Sequence, residues 1–163
     1  MKRELLAALL LGTLSVGAAA EDAQIKPFER GSWQQIVRSH AGRPTLVHFW
    51  GVTCGPCKIE LPQLGAFMKE QSGIDIVTIS ADFVPNLPEA TRTMLQRSGL
   101  SLAENWIFDG FADRLRFEID PTWQGDIPRT LLITREGEMT TIEGSADISD
   151  LKQWSVRQLA AKK

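Results

Sequence analysis

The only two cysteines of this 163-residue chain sit three apart, as Cys54-Gly55-Pro56-Cys57, between a strand-like run and a helix-like run. That placement constrains the fold more than any other feature. Thr45 to Trp50 is rich in strand formers and reads as a buried strand. Lys58 to Gln71 carries Leu61, Leu64, Phe67 and Met68 on one helical face and stops at Gly73. Ile74 to Ser80 reads as a second strand. Strand, helix, strand in this order implies a right-handed crossover and a parallel pair. A helix beginning at Cys54 sets its sulfur against unpaired N–H groups and the positive end of the helix dipole. Both lower a thiol's pKa, into the ~3.5–7.5 range found for such pairs. The chemistry this suggests is dithiol–disulfide exchange.

The length suits one compact domain with a core, and 43% apolar with 23% charged residues is ordinary for a soluble globular protein. A net charge of −2 gives no large basic surface, which argues against nucleic acid as a partner. At the N-terminus, Lys2 and Arg3 precede a mostly apolar run from Leu5 to Val16, and Ala18-Ala19-Ala20 stands before Glu21. This is a secretory signal pattern, so residues 1–20 are expected to be removed, leaving 21–163 as one domain. The apolar run is short for a membrane span. A soluble protein outside the cytoplasm, where disulfides persist, is the expectation.

Residues 21–31 read as a polar lead-in containing Pro27. Ser32 suits the cap of a short helix, Trp33 to His40, stopped by Gly42 and Pro44. Further along, Pro88 to Arg97 reads as a helix, Asn105 to Phe108 as a weak strand, and Gly110 to Phe117 as a short helix. Thr130 to Thr134 and Met139 to Glu143 read as a hairpin about Arg135-Glu136-Gly137-Glu138. Asp147 to Ala160 closes the chain as an amphipathic helix. The sum is a central mixed sheet with helices on both faces.

Two other uses of the cysteines stand beside redox exchange. A structural staple at this spacing restricts the unfolded chain little. A zinc site wants four ligands, and His40 and His48 are the only histidines. Covalent haem attachment is excluded, because Lys58 rather than histidine follows Cys57.

The segment Leu46 to Leu64, LVHFWGVTCGPCKIELPQL, resembles the thioredoxin superfamily, as does Ile127-Pro128-Arg129-Thr130-Leu131-Leu132-Ile133 with the Arg135-Glu136-Gly137 turn after it. Glu60 with Pro62, and that turn, narrow the resemblance to the TlpA/ResA-like exported thiol–disulfide oxidoreductases. It implies an α/β thioredoxin fold with a TlpA-like insert, expected over residues 84–112. It implies that Cys54 attacks, that Cys57 resolves, and that the two form a disulfide. It implies a cis Ile127–Pro128 bond, with the Ile127 backbone beside the cysteines and able to pair with a substrate segment.

The chain also departs from the superfamily. His48 stands where relatives carry a buried aspartate, Thr53 where many have tryptophan, and Arg129 where threonine is usual after the cis proline. His48, Glu60 and Arg129 are therefore candidates for proton relay or tuning of the thiols. Strand alternation places His48 and Trp50 on one face and Val47 and Phe49 on the other. Asp82 reads as a loop cap at the sheet end, and Trp123 as a core residue that also lines the groove. No cofactor and no metal is expected.

Gly-Pro between the cysteines resembles the reducing members, so a reductase of exported proteins is the favoured reading. Its implied partners are disulfide-containing proteins such as apocytochromes c or copper-delivery proteins, with a membrane electron transporter of the DsbD or CcdA type to recharge it. A periplasmic thiol oxidase, or a non-catalytic metal- or partner-binding module, are the alternatives.

Overall fold

A computed structural model describes residues 22–82 and 87–160. The expected signal segment, and the start of the expected insert, therefore fall wholly or partly outside the described residues. Six strands form one sheet: β1 (Ile25–Phe28), β2 (Thr45–Trp50), β3 (Asp75–Ser80), β4 (Glu104–Phe108), β5 (Arg129–Ile133) and β6 (Met139–Glu143). Their order across the sheet is β1-β4-β3-β2-β5-β6. The first four strands in that order run parallel, β5 pairs antiparallel to β2, and β6 pairs antiparallel to β5.

Five helices cover both faces: α1 (Ser32–Ser39), α2 (Gly55–Glu70), α3 (Pro88–Arg97), α4 (Ala112–Ile119) and α5 (Ile148–Ala160). β2 is buried along its whole length, as a central strand sandwiched between helix layers must be. Its even-numbered residues Leu46 and Trp50 pack with Leu61, Phe67, Leu95 and Leu151 from α2, α3 and α5. Its odd-numbered residues Val47 and Phe49 pack with Trp33, Ile36 and Leu115 from α1 and α4. The period of two along one strand thus assigns the helices to their layers. In the expected insert, α3 is followed by β4, which slots between β3 and the edge strand.

Three details differ from the sequence reading. The polar lead-in contains β1, whose Phe28 is fully buried against Trp106 and Phe108. Pro27 is tolerated there because β1 is an edge strand and needs no donor on its open side. Helix α1 is capped by Gly31 in the left-handed region at φ 86°, while the Ser32 hydroxyl accepts the Glu29 N–H at 2.9 Å instead. Helix α2 starts at Gly55 rather than Lys58, since Cys54 is its N-cap and Pro56 lies in the first turn.

Candidate active site

The site is built where β2 ends and α2 begins. Cys54 is extended (φ −81°, ψ 111°), the usual geometry of a residue that caps a helix. Its Sγ accepts the Cys57 N–H at 3.2 Å, so the sulfur satisfies one of the orphan donors of α2. Cys54 and Cys57 are joined by a disulfide with a Cα separation of 5.3 Å. The two differ in access: Cys57 is fully buried in the layer between β2 and α2, and Cys54 is half-buried.

The loop before β5 closes the other side. The Ile127–Pro128 bond is cis, and the Ile127 carbonyl oxygen lies 3.7 Å from Cys54 Sγ. With the sulfur in a disulfide this is a van der Waals contact, since no thiol proton remains to donate. Ile127 is half-buried and Pro128 buried. Cys54, Cys57, Ile127 and Pro128 thus come together at one end of the sheet.

Below them lies a buried polar pair. His48 projects from β2 into the same layer as Cys57, and Glu60 follows Cys57 by three residues on the buried face of α2. His48 Nδ1 is 3.0 Å from Thr130 Oγ1 and 3.9 Å from Glu60 Oε1. Burial pulls the His48 pKa down to about 4, so the ring is neutral at physiological pH. Burial pushes the Glu60 carboxyl up, against the opposing bonds from the Ala146 N–H at 3.0 Å and from Ser145. His48 Nε2, Glu60 Oε2 and Trp50 Nε1 have no partner among the described residues.

Arg129 is placed elsewhere. Alternation along β5 turns Thr130 toward His48 and Arg129 toward the opposite face. There its guanidinium pairs with Asp120, reaches Glu143 at 3.4 Å and lies over the Trp123 ring at 5.4 Å. Trp123 is buried against Phe49, and its indole N–H donates to the Asp126 carbonyl at 3.0 Å. Arg129 therefore closes the base of the 120–129 loop. His40 lies at the far end of the sheet, its ring 2.6 Å from Asp75 and 2.8 Å from Glu104 at the starts of β3 and β4. Among the described residues no group of three or more His, Cys, Asp or Glu is arranged to hold a metal ion.

The thioredoxin family model matches residues 24–94, which spans β1 through most of α3 and includes the cysteine pair. The six-stranded sheet and the cis-proline loop extend that likeness beyond the matched residues. The chain is similar to the thioredoxin family over residues 24–94 and has the thioredoxin fold. Among relatives, it is 29% identical over 134 residues to the thiol-disulfide oxidoreductase ResA of Halalkalibacterium halodurans, covering 80% of this chain and 66% of that protein. It is 34% identical over 71 residues to ResA of Oceanobacillus iheyensis, covering 41% of this chain and 37% of the relative. The chain thus spans about two thirds of the first relative's length and little more than a third of the second's. Among solved structures, StoA from Bacillus subtilis is similar with a TM-score of 0.54 at 25% identity, over 71% of this chain and 84% of that one. This thioredoxin-fold chain has no described helix long and apolar enough to cross a membrane.

Sequence reasoning missed two features of the site. Thr130 meets His48 through β2–β5 pairing, a partner legible only once the strand register is known. Asp120 is joined to Arg129 by the tertiary course of a loop, and no local signal marks it. Asp82 does cap a loop, as the sequence reading expects: its carboxylate accepts the Val52 and Thr53 N–H groups of the turn that leads into Cys54.

Proposed function

We propose that this chain is an exported thiol–disulfide oxidoreductase that reduces disulfides in partner proteins. The observation that carries the reading is the Cys54–Cys57 disulfide at the N-terminus of α2, facing the Ile127 carbonyl of the cis-proline loop. In the reduced protein the Cys54 thiolate receives the Cys57 N–H and the positive end of the α2 dipole. It attacks one sulfur of a partner disulfide. That S–S bond breaks, a mixed disulfide forms, and a partner thiolate leaves. Cys57, once deprotonated, attacks Cys54 Sγ and releases the second partner thiolate. Two electrons pass to the partner, and the chain returns to its Cys54–Cys57 disulfide.

Cys57 must lose its proton inside an apolar layer, which desolvation opposes. We assign its acceptance to the neutral His48 ring and the Glu60 carboxylate, both buried on the Cys57 side of the sheet. The Ile127 backbone is the edge against which an extended substrate segment pairs. Arg129 serves the loop that carries Ile127 rather than the thiol itself, as its side chain faces Asp120 and Trp123.

The Lys2-Arg3 start with its apolar run supports export to an extracytoplasmic site. Recharging there requires a membrane electron donor of the DsbD or CcdA type. Apocytochromes c and copper-delivery proteins are the substrate classes the ResA-like resemblance favours. The experiment is trapping in cells with a Cys57→Ser variant. Mixed disulfides on Cys54 with exported, cysteine-paired proteins are expected. Failure to trap any partner, with Cys54 free and reduced, would remove the reductase reading. A reduction potential at the oxidising end of the superfamily's range, near −120 mV, would make the protein an oxidase instead.

A further inference from the structure

Three segments meet at Gly51: the turn from β2 to α2, the end of β3, and the loop before β5. A Cβ added at Gly51 would fall 2.5 Å from Asp82 Oδ1 and 2.9 Å from Ile127 Cδ1, so only glycine leaves room for this contact. Asp82 fills the space with both carboxylate oxygens engaged. Oδ2 accepts the Val52 N–H at 2.6 Å and the Ser80 hydroxyl at 3.4 Å. Oδ1 accepts the Thr53 N–H at 3.1 Å and the Thr53 hydroxyl at 2.7 Å. Four donors match the acceptor capacity of an ionised carboxylate. The turn they hold ends in Cys54, whose N–H donates to the Gly51 carbonyl at 3.2 Å.

We propose that Asp82 is a positioning residue for the nucleophile: its carboxylate fixes the Gly51–Thr53 turn so that Cys54 caps α2 and faces Ile127. The proposal rests on the reading of Cys54 as the attacking thiol. A bare carboxylate beside a thiol hinders formation of the thiolate, because like charges repel. The hydrogen-bonded geometry is therefore what the acid contributes. Two backbone N–H groups immediately upstream of Cys54 have their partners on this one side chain, which comes from a different strand. The exposed Thr53 hydroxyl, directly before the nucleophile, is tied back to the same oxygen.

The two roles of Asp82, charge and brace, predict opposite signs. The test follows alkylation of Cys54 by iodoacetamide against pH in the reduced full-length protein. Asp82→Asn removes the charge and turns an amide NH2 toward the turn's donors. Gly51→Ala keeps the charge but drives the carboxylate out of its seat. If Asp82 positions Cys54, both variants slow alkylation at pH 6 by about tenfold, equal to an upward shift of about one unit in the profile. Thr53→Val, at an exposed site, should move it the same way by about threefold, the worth of one net hydrogen bond. Far-UV circular dichroism checks that each variant is folded. Alkylation that is unchanged or faster in folded Asp82→Asn and Thr53→Val overturns the proposal. A wild-type profile centred near 8.5, that of an ordinary thiol, overturns the functional reading beneath it.

Discussion

His48 Nδ1 lies 3.9 Å from Glu60 Oε1 within a layer closed to solvent. Burial pushes the two groups in opposite directions, the imidazole toward neutrality and the carboxyl toward its protonated form. The histidine is thus neutral at physiological pH, and the carboxylate is a stronger base than one in water.

If both groups act on the Cys57 proton, losing either one slows resolution of the mixed disulfide. His48→Ala and Glu60→Gln should each lower the release rate by about tenfold or more, within the usual worth of general base catalysis. Formation of the mixed disulfide by Cys54 should change little. The double variant should be no slower than the slower single, because the two serve one transfer. Stopped-flow release kinetics over pH 6 to 8 measure this. Rates that multiply in the double variant would mean separate roles, and an unchanged rate in His48→Ala would leave His48 a structural residue.

The same burial makes stability depend on pH. Folded His48 titrates at about 4, against 6.5 for an ordinary histidine. Between those values the unfolded chain binds the extra proton. Stability from this group is therefore present above pH 6.5 and lost as pH falls toward 4, by up to about 3 kcal/mol. Glu60, raised, acts in the other sense, stabilising at low pH and ceasing to do so as pH climbs through its raised value. Urea unfolding of the oxidised protein at pH 7 and 4.5 should show a larger acid loss in wild type than in His48→Asn. Equal losses would show that His48 is not held neutral.

Arg129 gives a prediction that separates loop from thiol. Its guanidinium is buried and joins Asp120, Glu143 and Trp123. Arg129→Ala should cost about 2–3 kcal/mol, as removal of one partner from a largely buried ion pair does. Arg129→Lys should recover little of it, since a lysine cannot both fork to carboxylates and stack on the indole. Reaction with protein disulfides should slow as the 120–129 loop loosens. The pH profile of Cys54 alkylation should stay in place, and a shift in it would assign Arg129 a direct influence on the thiolate.

Much of this was legible in the sequence. The limits of β2, α3 and β6 follow from period, caps and turns. Alternation along β2 put His48 and Trp50 on one face, as the packing has them. Local signals failed where a partner is remote. β1 was hidden because Pro27 disfavours a strand, and only pairing with β4, through Phe28 against Phe108, makes it one. The Glu60 bond to the Ala146 N–H spans 86 residues, and the Asp82 bonds to Val52 and Thr53 span about 30. Such contacts depend on where α2, α5 and the strand ends come to rest, and no window of sequence contains that.

The last prediction concerns the two sulfurs themselves. Cys54 is half-buried and caps α2, while Cys57 is fully buried in the core and donates its backbone N–H to the first sulfur. The helix dipole and that N–H stabilise a thiolate on Cys54, whereas desolvation opposes one on Cys57. In the reduced protein at pH 6.5, iodoacetamide should therefore label Cys54 at least tenfold faster than Cys57, and the Cys54 profile should centre below the ~8.5 of a free thiol. Peptide mass mapping after short pulses distinguishes the sites. Labelling of Cys57 should rise only above neutral pH, and should rise earlier in Cys54→Ser only if the disulfide partner had been shielding it. Equal labelling of both cysteines at pH 6.5 would mean that the α2 terminus activates neither, and the order of attack and resolution derived from it would fall.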